Sequence, residues 1–219
     1  MIANHIHDAL AQVRELRQRI LERQRFRGYS GGARTLAGTF ALVGAWIMAR
    51  ESYPRDPYPH LLGWGAIFFL AVLTNYGSLL YWFAKDAGLR GDVRMLRPTV
   101  EVFPPLIVGG LLTLAMLLEG HYEYLFGIWM TLFGLSNIAS RHVLPRKMGL
   151  VGCFYITCGA FCLFSPMRSF LDPWPMGMVF FIGELAGGML LSFDQHAVPI
   201  RSPVQTVTVT EKESYGGET

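Results

Sequence analysis

Polar and apolar positions along this chain fall into long blocks, not into the short periods of a soluble helix or strand. Six blocks are apolar almost throughout: residues 32–49, 61–83, 102–118, 124–140, 148–164 and 174–193. At about 1.5 Å per residue the longer ones cross a hydrocarbon core of about 30 Å, and the shorter ones come close once their flanks are counted. Across blocks 61–83 and 174–193 together, the only Asp, Glu, Lys or Arg is Glu184. Pro104 and Pro105 sit near the start of the third block, where a missing backbone N–H is least costly to a helix. Arg34 lies inside the first block, and its expected place is the membrane interface, reached by snorkelling.

The pattern predicts an all-α integral membrane protein whose six transmembrane helices form three antiparallel hairpins, because the outward connections are short. An amphipathic helix precedes them. The chain divides into a cytoplasmic helix over 1–30, a transmembrane domain over 31–193 and a flexible cytoplasmic tail over 194–219. Basic residues set the orientation. With a cytoplasmic N-terminus, 16 of the 19 Lys and Arg fall in inside segments, leaving Arg50, Arg55 and Arg168 outside. Both termini are therefore expected in the cytoplasm, in a plasma membrane or bacterial inner membrane. Trp46, Tyr53, Tyr58, Trp64, Tyr122, Tyr124 and Trp174 gather at the outer boundary, and Tyr81 and Trp82 at the inner one.

Composition agrees: 52% of residues are apolar and 16% charged, where a soluble domain carries about a quarter charged. The net charge of +3 is small, and the basic residues flank apolar blocks. That suits an anionic lipid surface and speaks against a nucleic-acid partner. Cys153, Cys158 and Cys162 share one apolar block, so they build neither a disulfide framework nor a paired-cysteine zinc site. The N-terminal segment lacks the continuous apolar run and small-residue cleavage site of a signal peptide, and the first span is expected to remain as an anchor.

Within the arm, Ile6, Ala9, Val13, Leu16 and Ile20 follow the 3-4 spacing of an apolar seam, and residues 1–27 hold six Arg. The seam reads either as an oligomerisation or partner-binding surface, or as a helix packed on its own loops or on anionic lipid. His5 and His7 precede it, but two positions apart they face different sides of a helix, with no third ligand evident.

Glu184 stands about ten residues into the last block, near the bilayer midplane. A carboxyl group there must be protonated, hydrogen-bonded or open to a wet cavity, so it reads as an ion-coupling site or as a hydrogen-bonding link between helices. Gly183, Gly187 and Gly188 would allow close helix approach beside it. Asn75 and Asn137 lie in the cytoplasmic half, with Tyr76, Ser78, Ser136 and Tyr155. These residues line an inward pocket or make hydrogen bonds between helices. Arg141, His142, Arg146 and Lys147 form a basic turn around Pro145, suited to a lipid head group or simply to topology.

No catalytic spacing occurs. The His–Glu–His pattern of metalloproteases, a Gly-x-Ser-x-Gly turn and a Gly-rich phosphate loop with Lys are all missing, and no two His sit mid-span as haem ligands would. The expectation is a non-enzymatic scaffold, sensor or regulatory subunit without cofactor or metal, acting in the lipid bilayer and assembling through residues 1–27. The alternative is a small transporter or channel subunit using Glu184, Asn75 and Asn137. A lipid-modifying enzyme built on the inner basic turn is a third reading.

Overall fold

The computed structural model describes residues 10, 12–13, 30–85, 103–140, 145, 147–165 and 169–196. Its body is all-α, with six principal helices: α1 (Gly31–Met48), α2 (Pro57–Lys85), α3 (Phe103–Leu118), α4 (Leu125–Ala139), α5 (Met148–Phe164) and α6 (Trp174–His196). Each coincides with one apolar block. α2 starts four residues earlier than its block because Pro57 and Pro59 occupy the first turn, whose N–H groups have no partner inside the helix. α1 opens on Ser30, whose hydroxyl accepts from the Ala33 N–H at 3.2 Å. α3 ends at a tight corner where Gly120 adopts φ 76°, the left-handed region that glycine enters without steric cost. One short 3-10 turn, Tyr122–Tyr124, then leads into α4.

The expected hairpin partners α1–α2 and α3–α4 do pack together, and α5–α6 touch more sparingly. The most extensive contacts lie elsewhere. α1 packs antiparallel on α6, and α4 packs antiparallel on α5. Small residues explain both pairs. Along α1 and α6, Gly31 meets Gly188, Gly38 meets the Glu184 Cβ, and Ala45 meets Gly177. Along α4 and α5, Gly127 meets Gly159 and Gly134 meets Gly152. A Cβ added at Gly134 would lie 2.6 Å from the Gly152 carbonyl oxygen, so glycine alone permits that spacing. Neighbours in space therefore run α2, α1, α6, α5, α4, α3.

Two clusters fill the interior. Near the Trp174 end, Ala41, Ala45, Met48, Trp64, Leu125, Phe126, Met130, Phe170 and Met176 pack together. Nearer the Gly31 end, Met148, Val151, Tyr155 and Leu191 form the second. Much apolar surface stays outside both. Two helical segments, Pro57–Tyr81 and Trp174–Phe193, are long and apolar enough to cross a membrane. The most apolar stretch of the first is only 6% buried, and Phe68, Phe69, Leu73 and Leu80 are exposed.

Candidate functional site

α1, α4, α5 and α6 each send one polar side chain to a common point inside the fold. Arg34, one turn into α1, is 5% exposed, and Glu184, midway along α6, is 4% exposed. The guanidinium takes the carboxylate in a fork: Nε donates to Oε2 at 3.0 Å and Nη2 to Oε1 at 2.9 Å. Planar two-point pairing of this kind is what arginine offers and lysine does not. The same Nη2 donates to Asn137 Oδ1 of α4 at 2.7 Å. From α5, the Tyr155 hydroxyl lies 3.1 Å from Glu184 Oε1, to which it donates, and 3.4 Å from the Phe180 carbonyl oxygen.

Glycines make the room. A Cβ at Gly187 would sit 2.8 Å from Arg34 Nε, one at Gly183 would strike the Tyr155 ring, and one at Gly38 would lie 2.8 Å from Glu184 Cβ. Phe133, Phe154 and Phe180 enclose the Tyr155 ring at centroid distances of 4.9, 5.7 and 5.1 Å. In so apolar a shell each hydrogen bond is stronger than in water, and an unpaired member would be correspondingly costly.

Arg34 thus corrects the expectation of a snorkelling interfacial arginine. Its side chain turns inward because Glu184 supplies the opposite charge, so the pair is nearly neutral as a unit. Asn137 joins the network and also donates to the Phe133 carbonyl oxygen in its own helix at 2.9 Å. Asn75 does not join it; its amide donates to the Ala71 carbonyl oxygen one turn back in α2. Ser136 likewise bonds within its helix, to Leu132 O.

Of the basic turn, Lys147 is exposed, and Arg141, His142 and Arg146 lie outside the described residues. Of the seam, Val13 is helical and exposed, while Ile6, Ala9, Leu16 and Ile20 lie outside them. Cys153 is exposed and Cys158 and Cys162 are half-buried, all three with free thiols. Among the described residues no group of three or more His, Cys, Asp or Glu could hold a metal ion.

The network joins α1, α4, α5 and α6. Arginine keeps its proton, and both carboxylate oxygens already accept hydrogen bonds. Sequence reasoning passed over Arg34 as a partner. The available signal was simple: two opposite charges in otherwise nearly uncharged blocks have strong reason to meet. No protein family, characterised protein or solved structure shows a significant match to this chain.

Proposed function

We propose that this chain is a six-span integral membrane protein with both termini in the cytoplasm, a non-enzymatic scaffold or regulatory subunit that meets its partners through residues 1–27. The observation that carries the reading is the buried polar network. Among the described residues, the buried charged groups Arg34 and Glu184 pair with each other and link α1, α4, α5 and α6. Work done by such a body is then done at its surface.

A lipid setting is supported by where apolar side chains point. Beyond α2, Ile107, Leu111, Leu114 and Leu118 of α3 are exposed, as are Leu150, Phe161 and Phe164 of α5. Leaving side chains of this size in water forfeits about 1.5–3 kcal/mol each, a loss that hydrocarbon surroundings remove. Trp46, Tyr58 and Trp174, all at one end, are partly or largely exposed, and the Arg50 guanidinium lies 3.8 Å over the Trp46 ring. Amphipathic rings and a cation at that level fit a bilayer boundary. This end is the outer one in the orientation set by the basic residues.

The test is native mass spectrometry of gently extracted protein, comparing the full chain with one beginning at Gly28. The full chain is expected to hold a defined oligomer or a co-purifying partner, and the shortened chain to lose it. Equal masses for both would remove the arm from assembly.

A transporter in which Glu184 carries a proton or cation is the second reading. It draws support from the network's reach across four helices, but it must first displace Arg34 from the carboxylate. Under it, Glu184→Gln abolishes pH-coupled flux in reconstituted vesicles; under the scaffold reading, no such flux exists to abolish.

A further inference from the structure

Near the outer end, the first turns of α2 carry His60 and Trp64, which are 1% and 4% exposed. Four residues apart, they occupy one face of the helix. His60 Nδ1 lies 3.0 Å from the Asp56 carbonyl oxygen, an atom that can only accept, so Nδ1 carries the ring proton. In the neutral imidazole, Nε2 is then a bare acceptor. Trp64 Nε1–H can only donate. Among the described residues, these two atoms are the buried side-chain nitrogens or oxygens that have no hydrogen-bond partner.

Aromatic rings form part of their surroundings, and among the described residues nothing completes them. Tyr53 stands edge-on to the His60 ring at 5.0 Å, but its hydroxyl already donates to the Pro59 carbonyl oxygen at 2.8 Å. Phe170 lies 6.5 Å from His60, Phe126 lies 5.6 Å from Trp64, and these two phenyl rings are 5.0 Å apart. The neighbouring Trp129 shows what an indole in this cluster normally finds: its N–H donates to the Thr113 hydroxyl at 2.8 Å. Buried polar atoms are nearly always paired, and a persistent exception calls for a missing partner.

We propose that His60 and Trp64 form a binding site for one hydroxyl group, which donates to His60 Nε2 and accepts from the Trp64 indole N–H. A carbonyl would satisfy only the indole, and a cation only the imidazole; a hydroxyl satisfies both. Two sources share that chemistry: a trapped water molecule, and the hydroxyl of a small aromatic alcohol, whose ring suits the enclosing Tyr53, Phe126 and Phe170. Admitting the alcohol requires these rings to part further than water does.

The experiment is NMR on the full, nitrogen-15-labelled chain in lipid nanodiscs, with phenol as the probe. The Trp64 indole signal is assigned from its contacts to the Phe126 ring, and independently by its loss in Trp64→Phe. The expected result is a His60 ring protonated at Nδ1 alone and a Trp64 indole proton shifted downfield by a hydrogen bond. Cross-relaxation to a long-lived water identifies water as the source. A saturable phenol-induced shift confined to His60 and Trp64 identifies the aromatic alcohol. A His60 ring protonated at Nε2, an indole proton with no acceptor before or after phenol, or an equal phenol response at every tryptophan overturns the proposal.

Discussion

Arg34→Met is expected to destabilise the protein by about 3–5 kcal/mol, because it leaves Glu184 buried without its counter-charge. For a chain of this size that corresponds to a loss of roughly 6–20 °C in Tm. The double change Arg34→Met with Glu184→Met is expected to restore most of the loss, since methionines of similar length refill the space without any charge to desolvate. Thermal unfolding in a single detergent, with the four proteins of the cycle side by side, measures the coupling directly. If Arg34→Met melts with the parent, the pair contributes nothing to the fold. If the double variant is no better than the singles, packing around the side chains outweighs their charges.

The second large effect is at Gly134. Replacing it with Val places a branched side chain where even a Cβ would lie 2.6 Å from Gly152 O and 2.9 Å from the Ile156 backbone nitrogen. Backbone atoms cannot swing aside as a side chain can, so α4 and α5 must separate. A cost of at least about 1–3 kcal/mol is expected, with lower yield and a lower Tm. Gly77→Ala is the matched control: nothing lies within 4 Å of the Cβ it would add, and alanine favours helix by about 1 kcal/mol over glycine. That variant is expected to be as stable as the parent or more so. Equal behaviour of Gly134→Val and Gly77→Ala would remove close helix approach as the reason for glycine at 134.

The six helices were legible because a long apolar block and a helix share the same physical cause. Once the backbone must satisfy its own hydrogen bonds among apolar side chains, a long uninterrupted block has little alternative to helix. Block ends were less legible: counting apolar residues stopped at His60, whereas the helix begins at Pro57 because proline suits a first turn. Pairing was legible only in part. Short connections do bring α1 beside α2, but the glycine-lined faces decide the closer contacts, and they join α1 to α6 from opposite ends of the chain.

The candidate site divides in the same way. Glu184 and Asn137 stood out as polar residues in apolar blocks, a property of composition alone. That Asn75 bonds its own backbone while Asn137 reaches Arg34 depends on helix rotation, to which a single polar residue gives no clue. The unpartnered state of His60 and Trp64 depends on what every neighbour does with its own polar atoms, and no local pattern encodes it.

The long span of the Arg34–Glu184 pair has a temporal side. These residues are 150 positions apart, so at roughly 5–20 residues per second the ribosome delivers the acid some 8–30 s after the base. For that interval the first helix carries its cation without Glu184 beside it. A nascent chain interrupted before α6 therefore leaves Arg34 without the carboxylate it holds in the finished fold.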